Sequence, residues 1–389
     1  MEARGRRPRT ALATVWILVA CAVIGTGIGL VVRYVRSDDG GGPRAIRVRP
    51  ARPGQQSAAG LWLFGATTVR LDPVTLSDPR DAGFQGFGAV LGGEGTVYLY
   101  DAVTGRIGVV DATRNALAGR TTVPVQGGVS ADVAPVIAEQ RGALWLVTGD
   151  GRLTRDELST GSTTDATLPT DVVSEAAAGG PPAPGATRVV ADDQAAWAVY
   201  DLGVTGNPAL PAVARVADDG TITARAAIPD RVGGGRLEPQ AVALGDGVLW
   251  IVGRSAVVAL DPATLAVRRS FAVQDGAPVE LHGAAVAGGL LWSYDVQSGA
   301  LLGIGPDTGL VRHRVALTDG AQTQFRAPAT IIGGGDVLWV RVRVGNPSTL
   351  EQLVTRVDAR SGDITGRFSA PPQLEVGEIA VSRAPAGGG

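Results

Sequence analysis

His282 follows Glu280 by two residues in PVELHG, and Glu238 precedes both in GGRLEPQ. An imidazole beside carboxylates can trade protons, so this trio is a candidate acid–base set for a lyase or hydrolase. Other chemistry is thin. His313 is the only other histidine, 31 residues away in VRHRVAL, and a histidine-based zinc site is out of reach. Cys21 is the single cysteine, which excludes an intrachain disulfide and a cysteine-based metal site. No P-loop, no G-x-S-x-G elbow and no H-E-x-x-H occurs. The residues imply no cofactor and no metal, and the set of catalytic residues stays empty unless His282 fills it.

A repeated unit must position these groups. An apolar strand, a short Gly- or Asp-rich turn and a strand centred on Leu-Trp recur along the chain. The second strands are LWLF (Trp62), VYLY (Tyr98), LWLV (Trp145), AWAV (Trp197), LWIV (Trp250), LWSY (Trp292) and LWVR (Trp339). These seven anchors are spaced by 36 to 53 residues, the period of β-propeller blades. Trp62 has no apolar strand before it, whereas a spare one, GEIAVS, ends the chain without an anchor after it. Pairing the two completes a seventh sheet and closes the ring without an open edge. The expected fold is therefore all-β, a seven-bladed propeller over residues 61–389. After each anchor comes an Asp turn, such as RLDPVTL (70–76), ALDPATLAV (259–267) and RVDARSGDI (356–364). An Asp followed by Thr or Ser two or three residues later suits an Asx or type I turn, so turn geometry, and not metal binding, accounts for these aspartates.

The pattern G-x-LW…V-x-x-(L/V)-D-P-x-T resembles the bacterial propeller repeats of the YVTN and quinoprotein-like superfamily and the related streptogramin-lyase repeats. The resemblance implies the fold and leaves the activity open, since propellers host enzymes and scaffolds alike. Quinoprotein dehydrogenases are similar at DAVTG (101–105) and DARSG (358–362), but they use vicinal cysteines and calcium, and no cysteine lies in the repeats. Streptogramin lyases use paired histidines, and His313 falls in an outer strand. Lactonase-type propellers hold a metal with Asn, Asp and Glu. The three asparagines here, Asn115, Asn207 and Asn346, stand in a turn and in Gly-Asn-Pro loops.

The loops entering each innermost strand share a face with the second-to-third-strand loops and surround the channel mouth. At that place stand Phe84, Gln85 and Phe87, then Asp132, Arg188, Glu238 with Gln240, Glu280 with His282, Arg326, and Glu375 with Glu378. Two long loops, 201–212 and 343–352, and a Pro/Ala/Gly-rich insertion at 160–186 rise beside them. Loops on a rigid scaffold are where binding residues concentrate, so this rim is the candidate site.

Composition places the ring. Ala11 to Val32 is an uncharged apolar run of 22 residues, long enough to span a bilayer. Arg4, Arg6, Arg7 and Arg9 precede it, which favours residues 1–10 as a cytoplasmic tail, 11–32 as a transmembrane signal anchor and the propeller outside. Leu18-Val19-Ala20-Cys21 resembles a lipobox, and the alternative is lipidation of Cys21 after cleavage. Residues 33–60 are rich in Pro, Gly and Arg and form a flexible stem. Formal charge is +7 over residues 1–60 and −9 over the rest, which excludes a nucleic-acid-binding domain. The chain has no lysine, a composition expected of a GC-rich, for example actinobacterial, genome. The expectation is a membrane-tethered binding or scaffold module facing a protein or envelope-polymer partner, with a lyase or hydrolase built on His282 as the alternative.

Overall fold

The computed structural model describes residues 60–382 except 66–67, 78, 82–88, 94, 102–105, 115, 123–136, 148–151, 173–182, 204–209, 318–328, 345–350 and 371–377. The chain divides into units of residues 1–44 and 45–389, and all described residues belong to the second. The expected tail, anchor and Cys21 lie outside them, as does the stem except its last residue, Gly60, which opens the strand Gly60–Phe64. Among the described residues no helix is long and apolar enough to cross a membrane.

Seven four-stranded antiparallel sheets follow one another around the ring. Their innermost strands are Glu378–Ser382, Ala89–Gly92, Ile137–Gln140, Ala183–Ala191, Pro239–Gly245, Leu281–Ala287 and Thr330–Gly334, for blades one to seven. The second strands are Gly60–Phe64, Thr96–Asp101, Ala143–Val147, Ala196–Gly203, Val248–Gly253, Leu290–Asp295 and Val337–Val344, and each carries its Trp or Tyr anchor. The first blade joins both ends of the repeat region: Glu378–Ser382 lies antiparallel to Gly60–Phe64, with Leu61 opposite Val381 and Phe64 opposite Glu378. The predicted ring closure is what the chain adopts.

Burial explains why the sequence reads as it does. A middle strand is covered on both faces by the neighbouring blades, so GLWLF, ALWLV and LLWSYD are buried at every position and show no alternation. Outermost strands keep one face in water: ITARAA (Ile222–Ala227) and ITGRFSA (Ile364–Ala370) alternate between half-buried and exposed. The outer turns are capped as their residues suggest. Asp72, Asp111, Asp261 and Asp358 each accept, through Oδ1, the backbone N–H groups two and three residues on, at 2.8–3.0 Å. These carboxylates are spent on turn geometry.

The expected loops need correction. The loops 201–212 and 343–352 are shorter than expected, because 201–203, 210–212, 343–344 and 351–352 belong to second and third strands. The proposed insertion 160–186 contains the third blade's outermost strand, Ser162–Thr167, and the start of Ala183–Ala191. STTDAT has the polar composition of a loop because an outermost strand is mostly exposed. A hairpin, Arg231–Val232 with Gly235–Arg236, also stands between blades four and five, turned by Gly233 and Gly234 at φ 61° and 83°.

Candidate functional site

The channel-mouth face of blades four, five and six carries a continuous charged array. Its inner strands are irregular at the mouth end. Register shifts fall between Pro184 and Thr187, Pro239 and Ala241, and His282 and Ala285. Such bulges twist a strand locally and re-aim its side chains. Gly283, at φ 69°, completes the sixth-blade bulge, where a Cβ would stand 2.9 Å from the Ala329 carbonyl. Arg188, Gln240, His282 and Glu378 were expected just upstream of the innermost strands and lie inside them. For Gln240 and His282 a bulge is why, since it lets the ladder begin a few residues earlier than regular pleating would; Arg188 and Glu378 lie in regular pairing, opposite Val199 and Phe64.

Arg188 Nε donates to the Gln240 carbonyl at 2.8 Å, tying blade four to blade five. Asp201, at the end of the second strand of blade four, neighbours Arg188, Arg236 and Glu238 electrostatically. Burial pushes its carboxyl up, and the two arginines pull it part of the way back. Burial likewise lowers the Arg188 guanidinium, with Asp201 opposing. Next, Arg254 bridges two blades: its Nε lies 3.0 Å from Glu238 Oε2 and its Nη1 3.8 Å from Glu280 Oε1. Gln297 Nε2 donates to Glu280 Oε2 at 2.9 Å. The backbone at Glu280 is fixed by buried Asp295, whose Oδ1 accepts the Glu280 N–H at 2.9 Å.

His282 Nε2 lies 3.8 Å from Glu280 Oε1, beyond the 2.6–3.2 Å reach of direct proton transfer. Glu280 already answers to Arg254 and Gln297. In the described structure the trio is an ion-pair ladder with a histidine at its end. Among the described residues no three His, Cys, Asp or Glu side chains converge as a metal-binding group. His313 lies in Val311–Ala316, the outermost strand of blade six, stacked on Trp292 at 5.8 Å.

Glu378 belongs to a second cluster, between blades seven and one. Thr330 Oγ1 donates to Glu378 Oε2 at 2.8 Å, and Arg341 Nη2 lies 3.9 Å from Oε1. Phe84, Gln85, Phe87, Asp132, Arg326 and Glu375 lie outside the described residues. The reading of the sequence missed Arg254 and Gln297, although both stand in second-to-third-strand turns on the mouth face. It also missed Asp201, Arg236 and Arg341. Asp201 and Arg341 lie within second strands, Ala196–Gly203 and Val337–Val344, where a charge gives no local signal of its neighbours.

No family model matches the chain, and no curated protein matches it. Solved structures do. Apo AztD from Citrobacter koseri superposes with a TM-score of 0.52 at 13% identity, covering 84% of this chain and 99% of that one. BamB from Moraxella catarrhalis gives 0.43 at 11% identity, covering 82% and 89%. At such identities the likeness is one of fold. The chain is a seven-bladed β-propeller.

Proposed function

We propose that this chain is a membrane-tethered binding propeller that displays its channel mouth, outside the cytoplasmic membrane, to a protein or cell-envelope polymer. The carrying observation is the alternating array Arg236, Asp201, Arg188, Glu238, Arg254, Glu280 and His282 across blades four to six. Both signs are interspersed and partly exposed, a pattern that favours register with a complementary polar surface. The same array holds Glu280 by hydrogen bond and ion pair, which suits a fixed recognition surface better than a proton shuttle. Tethering rests on the apolar run 11–32 and the arginines before it.

The test is affinity capture of the full chain from membranes in mild detergent, with Arg254→Glu compared against the outer-strand control Arg312→Glu. Loss of a reproducible partner with Arg254→Glu alone supports the proposal. Equal capture by both variants sinks it. The lyase or hydrolase alternative has the 3.8 Å approach of His282 to Glu280 in its favour. It requires turnover that disappears in His282→Gln and survives in Arg312→Glu.

A further inference from the structure

The rim of blades five and six is fixed as well as charged. Glu280 is held at three points. Its N–H goes to Asp295 Oδ1 at 2.9 Å, its carbonyl accepts the Val296 N–H at 2.8 Å, and its Oε2 accepts Gln297 Nε2 at 2.9 Å. Asp295 Oδ1 also accepts the Gln297 N–H at 3.1 Å, so the turn that carries this amide is pinned too. Arg254 is tied across the blade junction by its backbone, whose carbonyl accepts the Leu281 N–H at 2.6 Å. Its side chain then spans both blades, with Nε 3.0 Å from Glu238 and Nη1 3.8 Å from Glu280. The row Glu238, Arg254, Glu280, Gln297 is assembled before any partner arrives, which lowers the ordering cost of binding.

Charge in this neighbourhood cancels. Arg188, Arg236 and Arg254 stand among Asp201, Glu238 and Glu280, three of each sign, and the adjoining Asp230 and Arg231 add one of each. A ligand of a single sign therefore meets half of the array as like charge. An acidic polymer has Asp201, Glu238 and Glu280 against it; a basic one has the three arginines.

Hydrogen-bonding capacity, in contrast, remains open. A guanidinium has five N–H groups, and Arg254 turns one to each glutamate and keeps three. Glu238 Oε1 and Gln297 Oε1 have no partner among the described residues. The side chains of Arg254 and Glu238 are 58% and 46% exposed, so a ligand can reach them. A hydroxyl is the group that fits between such neighbours. It accepts from the guanidinium and donates to the carboxylate, and each bond strengthens the other. Being neutral, it leaves the ion pair between Arg254 and Glu238 standing.

A protein partner finds less to hold. Protein interfaces draw most of their energy from a few buried aromatic or apolar anchors. Among the described residues the exposed large hydrophobic side chains are Val74, Val267 and Leu310. They stand in outer turns or at the start of an outermost strand, at the far end of the strands from the mouth.

We infer that the rim of blades five and six binds a neutral polyhydroxylated polymer, an uncharged glycan whose hydroxyl groups sit between Arg254 and its two glutamates. This deepens the binding reading of the rim and rests on it.

The test presents the full chain in nanodiscs to neutral dextran, mannan and galactan, to anionic polygalacturonate and to cationic chitosan, with binding read by biolayer interferometry. At least one neutral polymer should bind saturably. Its affinity should change less than about twofold between about 50 and about 500 mM NaCl, because no ion pair forms or breaks. Arg254→Ala and Glu238→Ala should each weaken it about tenfold or more, the worth of a hydrogen bond to a charged group, while Arg312→Glu leaves it unchanged. Both substituted side chains are about half exposed, and melting curves that match the parent's will show that the fold is kept. Binding to polygalacturonate or chitosan alone, an affinity that falls steeply with salt, binding that survives Arg254→Ala, or no binding to any neutral polymer would each overturn the inference. The broader reading is scored separately. A protein captured from membranes and lost with Arg254→Glu, with no glycan bound, would keep the binding propeller and remove the glycan; no captured partner and no bound polymer would remove both.

Discussion

An aspartate at the head of an outer turn does more than shape it. Hydrogen bonds from Arg268, the Thr264 backbone and the Thr264 hydroxyl hold Asp261 far below the usual carboxylate range, and backbone donors lower Asp72 and Asp358 in the same way. Their folded pKa values lie below the unfolded ones. The stabilisation is therefore complete above the unfolded range and is lost as pH falls below about 4. Asp261→Asn keeps an acceptor but loses the charge. It should melt below the parent at pH 7, with the gap closing in acid; a gap that does not change with pH would refute the charge contribution. Burial decides a second case. Trp62 Nε1 and Ser382 Oγ are joined across 320 residues of sequence, and both residues are fully buried. Ser382→Ala strands the indole and should cost about 1–3 kcal/mol in urea unfolding. Little or no loss would mean that another acceptor had moved in.

At the scale of elements, the closing strand carries the heaviest prediction. Gly60–Phe64 is buried at all five positions, yet without Glu378–Ser382 one edge has no partner. A chain ending at Gly377 should lose its cooperative thermal transition and self-associate through that edge, as circular dichroism and light scattering would show. A monomer with the parent's melting curve would refute it. This pairing was legible because it needs only a count: an anchor without a preceding strand and a strand without an anchor. The anchors themselves were legible because a strand covered on both faces must be apolar throughout. What escaped notice shares a cause. Ser162–Thr167 is mostly exposed and reads as loop, while the bulges that turn Gln240 and His282 toward the mouth depend on backbone register, which leaves no compositional trace. The acceptors of Trp197 and Trp339 come from adjoining blades, so no local pattern announces them.

For the whole molecule, the question is whether strand exchange or face-to-face packing holds the ring. In blade five Gly245 pairs with Val248 around Asp246 and Gly247, both at positive φ, and in blade six Ala287 pairs with Leu290 around Gly288 and Gly289. Gly60 and Ser382 pair in the same geometry with no turn between them. Joining Ser382 to Gly60 by Gly-Gly supplies that turn and frees the termini to be opened elsewhere. Opened between Asp246 and Gly247, the permutant again builds one blade from both chain ends. Opened within 318–328, every blade is continuous, and blades six and seven meet without strand exchange. Their shared core, including Trp292, Tyr294, Leu338 and Val340, is then what holds the junction. Loop closure costs both permutants similarly. The first should melt with the parent, and the second at least about 2 °C lower, the change that 1 kcal/mol makes in a chain of this size. Equal melting of the two would give closure to packing alone, and the terminal strand would then be an edge cover and not a clasp.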